Sequence, residues 1–166
     1  FHVSRQSGLR DEAVQLSSCE YAWALQSEAH DSLLKICTPS EAVDWETVRG
    51  LGVVYWLQNP SSLQSLVDRI AKGEFRKNRD VNDCCLYYLA LNKQRALALL
   101  FRECNQKKFG EFFERDFSLP KNRSAATQNA YRLLQLRKFR LSAAYFLLAG
   151  SVEDAIDIVL EHEQGI

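Results

Sequence analysis

Apolar residues recur at intervals of three and four along most of the chain, and strand-like alternation is almost absent. From Tyr21 to Cys37, Ala22, Leu25, Ala29, Leu33 and Ile36 fall on one side of a helical wheel, with Glu28, Asp31 and Lys35 on the other. That spacing predicts an amphipathic helix stopping before Pro39. "DWETVRGLGVVYWLQNP" offers Asp44 as the N-cap of a helix from Trp45 to Leu57, loosened by Gly50 and Gly52 and stopped at Asn59. Pro60 then takes a first helical position, and Leu63, Leu66, Val67, Ile70 and Phe75 form the stripe of a helix that runs out in "FRKNRD".

"VNDCCLYYLALNKQRALALLFREC" predicts two helices meeting near Asn92, followed by a short aromatic piece with Phe109, Phe112, Phe113 and Phe117. Beyond Pro120, "SAATQNAYRLLQL", "FRLSAAYFLLAG" and "SVEDAIDIVLEHE" predict three helices with very short joints. Gly150 suits a left-handed helix end, and Ser151 with Asp154 makes a start signal. In the last helix Glu153, Asp157 and Glu161 form a wet face, and Val152, Ala155, Ile156, Val159 and Leu160 are expected to form the dry one. The helix before it is apolar nearly all round, which implies burial on several sides, and Ala143 and Ala144 allow backbones to approach closely. "LALNKQRALALLF" (89–101) laid over "LQLRKFRLSAAYF" (134–146) matches helix, basic joint and helix at an offset of 45 residues, a period used by stacked helical repeats.

Composition adds little to this picture: 166 residues, 46% hydrophobic and 25% charged, are ordinary for a globular domain or a piece of a larger one. The chain begins with Phe1 and contains no Met, so it is expected to be a helical segment of a longer polypeptide. Within it residues 1–20 are expected to be irregular, 21–117 to form a first helical group and 121–162 the final hairpins. The apolar uncharged run from Leu141 to Val152 is shorter than the roughly 20 apolar residues a membrane span requires. The net charge of +0 conceals segregation: residues 1–46 hold three basic and eight acidic groups, 47–140 hold eighteen and eight, and 141–166 hold none and five.

No constellation for catalysis, metal binding or cofactor binding emerges. His2, His30 and His162 lie far from any second ligand at metal spacing, and His30 is expected on a solvated helix. The odd set Cys19, Cys37, Cys84, Cys85 and Cys104 contains no C-x-x-C pair, so reduced thiols are expected. Neighbouring Cys84 and Cys85 point about 100° apart on a helix, which favours burial over bridging. Gly50-Leu51-Gly52 lacks the third glycine and preceding strand of a phosphate loop. The acid pairs Asp154 with Asp157 and Glu111 with Glu114 suit solvated faces. The remaining candidate is the stretch between Asp116 and Glu153, with six basic residues and no acid. Arg132, Arg137, Lys138 and Arg140, together with exposed aromatics at Phe112 and Phe113, are the expected contacts for a protein partner. Nucleic acid is disfavoured, because the aromatic residues here follow core spacing and offer no stacking platform.

The ordered blocks "YAWALQSEAHDSLL" (21–34), "LGVVYWLQN" (51–59), "CCLYYLALNKQRALALLFR" (84–102) and "SAAYFLLAGSVEDAIDIVL" (142–160) resemble the helical region of the rabconnectin-3 / DmX-like family, which includes the large subunit of the RAVE complex. The resemblance implies a large cytosolic scaffold, without enzyme activity, that promotes reassembly of the vacuolar-type proton-pumping ATPase. The implied partners are cytosolic-sector subunits of the pump and smaller RAVE-type subunits, and the implied location is cytoplasmic, peripheral to vacuolar, endosomal or vesicle membranes. The fold expected is all-α: seven to nine helices in antiparallel pairs, stacked as a short right-handed α-solenoid with no catalytic centre and no cofactor. The alternative is an α-solenoid subunit of a vesicle coat or tethering complex, and an enzyme would require a cluster of titratable groups that the sequence does not assemble.

Overall fold

A computed structural model describes residues 17–163. Among them eleven helices follow one another and no strand occurs: α1 (Ser18–Gln26), α2 (His30–Cys37), α3 (Trp45–Gly50), α4 (Val53–Trp56), α5 (Pro60–Asn78), α6 (Val81–Ala90), α7 (Gln94–Glu103), α8 (Lys107–Phe113), α9 (Pro120–Gln135), α10 (Phe139–Ala149) and α11 (Val152–Glu163). Neighbouring helices pack in pairs, giving the expected all-α, solenoid-like fold. The helix number exceeds the expected seven to nine because two predicted helices are broken. The irregular character expected of residues 1–20 concerns positions mostly outside the described residues.

The first break falls between Gln26 and His30. Ser27 Oγ accepts the Ala29 N–H at 3.0 Å, a local bond that competes with helix continuation. α1 itself is opened by a reciprocal cap, Ser17 N donating to Glu20 Oε2 at 2.8 Å while Ser17 Oγ accepts from Glu20 N at 3.4 Å. On α2 the buried positions are Leu34 and Cys37, whereas Ile36, expected on the inward stripe, is exposed. The second break is at Gly52, whose φ of 56° lies in the left-handed region, so the predicted helix from Trp45 to Leu57 becomes α3 and α4. Asp44 caps α3 as expected, accepting from Thr47 N at 2.7 Å.

Two hydrophobic cores result. One gathers Leu34, Val48, Leu51, Val53, Trp56, Leu66 and Ile70; the other runs from Ala71 to Ile158 through Phe101, Phe113 and Phe146. α5 serves both. Its Gly73 admits the backbone of the α2–α3 loop so closely that a Cβ there would lie 2.3 Å from the Val43 carbonyl oxygen. Arg69 clamps the same loop, donating to Thr38 Oγ1 at 3.0 Å and to the carbonyls of Thr38 and Ser40. Glu74, buried on α5, accepts from Trp45 N at 3.3 Å.

In the second core α10 lies between α9 and α11 and also against α6. Its contact with α9 is made at small residues: Ala126 and Ala130 are the buried positions of α9, and buried Ser142 donates across to the Ala130 carbonyl at 2.8 Å, while Ala143 and Ala144 are fully buried on α10. Four joints share one geometry. At Asn92, Asn105, Arg137 and Gly150 the backbone turns left-handed, with φ of 56°, 59°, 57° and 85°. Each time the N–H of that residue bonds back three residues and the next N–H bonds back five, the paired closure of a Schellman motif. The joint near Asn92 and the end at Gly150 were both predicted. The dry face expected on α11 is found only in part: Ala155 is buried and Val159 half-buried, joined by buried Ile158, while Val152, Ile156 and Leu160 are exposed, because α10 covers only one side of α11.

Gly73→Ala is expected to destabilise the fold by about 1–3 kcal/mol, the cost of forcing a methyl group against packed backbone. Urea denaturation should show a lowered midpoint with an unchanged slope. Asp68, on α5, is held below the usual carboxylate range by its hydrogen bond from Lys93, with Lys72 adding to the effect. A depressed folded value means that its contribution is present above the unfolded pKa of about 3.9 and is lost as pH falls through the folded one. Asp68→Asn should therefore cost roughly 0.2–1 kcal/mol at pH 7 and progressively less below about pH 4, read from denaturation curves across that range.

Candidate partner-binding surface

The basic surface is built around the joint between α9 and α10. Pro120 opens α9 at a position where its missing N–H costs nothing, and Ala126 and Ala130 turn one face of the helix inward. Arg123 and Arg132 are thereby carried outward. At the joint, Arg137 N donates to the Leu134 carbonyl at 2.9 Å and Lys138 N to the Leu133 carbonyl at 3.0 Å. This closure leaves the side chains of Leu136, Arg137 and Lys138 exposed. Of the four recurring joints, this is the one that places Arg in the left-handed conformation, which costs a residue bearing a Cβ about 1 kcal/mol relative to glycine.

Arg132, Arg137 and Lys138 have no acidic side chain within ion-pairing distance among the described residues. Arg140 differs, being half-buried with Nη1 3.9 Å from Glu74 Oε2. The structure thus leaves three of the four predicted cations exposed at the end of α9 and the joint after it, and directs the fourth toward α5. Leu136, 59% exposed between Arg132 and Arg137, is a candidate contact that the sequence reading missed. Its place beside the left-handed residue was the available signal. Tyr131 is also exposed, although its ring edge rests on Phe146 with centroids 5.1 Å apart.

Phe112 and Phe113 do not form the exposed aromatic site that was expected. Phe113 is fully buried and Phe112 half-buried, and both rings pack on Tyr145 of α10 with centroids 5.5 and 5.4 Å away. Phe113 also stacks on Phe101 at 5.1 Å. These rings hold α8 to α7 and α10. Burial pushes the Tyr145 hydroxyl well above its ordinary pKa.

Chemical candidates elsewhere remain dispersed. Cys84 and Cys85 are fully buried; burial pushes the Cys84 thiol up to about 12 and raises Cys85 well above its ordinary value, so neither supplies a thiolate near neutral pH. His30 opens α2 half-buried, 6.3 Å from the Trp56 ring, and His162 stacks on Phe139 at 3.8 Å. Among the described residues no group of three His, Cys, Asp or Glu could hold a metal ion, and no helix is long and apolar enough to cross a membrane. An open cleft of about 830 Å³ lies between the α6–α7 joint and the segment after α8. Two of its charges are engaged, Lys93 with Asp68 and Glu114 with Arg102, each at 2.5 Å. Gln94 Nε2 crosses it to the Phe113 and Arg115 carbonyls.

A family model described as RAVE protein 1 C terminal matches residues 1–165. The chain is 36% identical over 148 residues to DmX-like protein 1 of Mus musculus, covering 88% of this chain and 5% of that protein. It is 32% identical over 146 residues to the Saccharomyces cerevisiae protein named Regulator of V-ATPase in vacuolar membrane protein 1, covering 84% and 11%. The Schizosaccharomyces pombe protein of the same name is 25% identical over 163 residues, covering 93% and 12%. The chain therefore spans a small part of the length of each of these relatives.

Arg137→Asn should separate fold from surface. Asn tolerates the left-handed conformation better than Arg, so the melting temperature is expected to stay level or rise by a few degrees while the joint loses a charge. A marked fall in thermal unfolding would mean that the Arg137 side chain supports the joint itself.

Proposed function

The chain belongs to the RAVE protein 1 C terminal family, and from that premise we propose that it is a non-catalytic binding segment of a factor that promotes assembly of the vacuolar-type proton-pumping ATPase. The observation that carries this reading is the match over residues 1–165, joined by similarity to a yeast protein named as a regulator of that ATPase in the vacuolar membrane. The segment binds cytosolic-sector subunits of the pump or smaller RAVE-type subunits, in the cytoplasm at the surface of acidified organelles. Its work is geometric: it presents a charged joint on a packed helical support, and it draws on no reacting group.

Within this reading Arg132, Arg137 and Lys138 supply the positive contacts and Leu136 the apolar centre. Such a joint suits an acidic helix or loop, since three cations around one leucine reward both charge and apolar complementarity. Arg140 acts from behind by bracing the joint against Glu74.

The test uses the full-length protein carrying Arg132→Glu, Arg137→Glu and Lys138→Glu together. Retention of the isolated cytosolic sector is expected to fall by about tenfold or more, and to weaken with added salt in the unaltered protein, as exposed charges screened over about 8 Å require. Organelle acidification, read with a pH-sensitive dye, should fall in parallel. Unaltered retention would remove the joint from the contact. Normal acidification and normal pump assembly after deletion of residues 17–163 would remove the assembly role itself.

A further inference from the structure

The recurring joints reveal a repeat whose two copies differ on one face. Asn92 and Arg137 stand 45 residues apart, as do Asn105 and Gly150, and the helices after them keep the same register: Gln94 with Phe139, Lys107 with Val152. α8 and α11 are thus equivalent. Their inward residues correspond, Gly110 and Phe113 in the first, Ala155 and Ile158 in the second, and all four are buried. The next face does not correspond. α8 and the residues just after it place Lys107, Glu111 and Arg115 there, all exposed, as a solvated surface should be. α11 places Val152, Ile156 and Leu160 at the same positions, 52%, 50% and 51% exposed.

Three aliphatic side chains spaced by four form a continuous stripe along a helix. It borders the buried face on one side and the exposed acids Glu153, Asp157 and Glu161 on the other. The end repeat of a stack is solvated by a polar outer face, which α8 has and α11 lacks. We propose that the stripe Val152, Ile156 and Leu160 is the seat of a further amphipathic helix of the same polypeptide, C-terminal to α11, carrying Lys or Arg along the edge that meets Glu153, Asp157 and Glu161.

Continuity and charge identify that occupant. α9, α10 and α11 are laid against one another through successive joints of one type, and α10 is covered by α9, α11 and α6 while α11 packs chiefly on α10. A third step of the same kind places a helix on the bare stripe. Residues 141–166 hold five acids and no base, so the balancing cations must come from outside this stretch. A second copy of this chain docking by the same face would bring two such acidic rows together, which disfavours it. The relatives named above extend far beyond the matched region.

The test is made in the full-length protein. Ile156→Cys and Leu160→Cys, scored at peptide level so that native cysteines do not interfere, are expected to react with a maleimide about tenfold or more slowly than Asp157→Cys under native conditions. Equal rates overturn the proposal. Val152→Cys provides an independent position should either substitution disturb folding. A photo-crosslinking residue at Leu160 is expected to capture a peptide of the same chain beyond residue 166. Capture of residues 1–16, of a second copy or of another protein, or no capture at all, overturns it.

Discussion

The close approach of α10 to α9 is the contact on which the C-terminal architecture rests. Ala126 and Ala130 are the buried residues of α9, and Ser142 of α10 donates to the Ala130 carbonyl at 2.8 Å, so two backbones lie together with little side-chain material between them. An interface of alanines contributes less apolar area per residue than one of leucines, and its advantage is geometric. Phe146 adds to the same contact by resting against Tyr131 of α9, and Tyr145 reaches the α8 rings. A buried Leu or Phe contributes about 1.5–3 kcal/mol, whereas an exposed ion pair gives about 0–1 kcal/mol. The aromatic contacts around α10 therefore outweigh the surface pairs in holding the stack together.

This arrangement decides where charge can go. Once α10 is enclosed on several sides, the joint leading into it is the place on that strip of chain where long cationic side chains reach solvent. Asn92, Asn105 and Gly150 fill the left-handed joint position with residues that adopt it readily, and Arg137 fills it with one that does not. Arg79 is a useful comparison, also left-handed with φ 56°, but its guanidinium lies over the Phe75 ring at 5.9 Å. No ring contact of that kind accompanies Arg137 among the described residues.

Long, regularly patterned helices were legible. The stripe of α5, the meeting of α6 and α7 near Asn92 and the three final helices all follow from spacing plus Pro and Gly punctuation. What escaped were features set by single local bonds or by distant neighbours. The break after Gln26 depends on the Ser27 hydroxyl choosing a backbone N–H, and periodicity carries no trace of that choice. Phe112 and Phe113 read as surface residues because α8 is too short to show which side is inward; Tyr145, more than thirty residues away, decides it. On α11 the wheel was apolar over too wide an arc, and α10 covers only part of it. At the basic joint the exposure of Arg132, Arg137 and Lys138 followed from charge, but Leu136 was read as part of the helix, which ends one residue earlier at Gln135.

α5 binds the two cores into one support for that joint. Leu66 and Ile70 belong to the first core and the adjacent Ala71 to the second, on different sides of one helix. Glu74, a turn further on, holds the Trp45 N–H with one carboxylate oxygen and faces Arg140 with the other. The carboxylate is buried, and a buried charge is tolerated only where donors surround it. Its two partners come from α3 and α10, which lie far apart in sequence, so the N-terminal layers and the basic joint share one buried group. A surface that acts by holding its shape requires such a link, because mobile side chains lose part of any contact energy to ordering. Arg140 is thereby better understood as an anchor than as a contact, and the open cations at Arg132, Arg137 and Lys138 stand on a base that reaches across both cores.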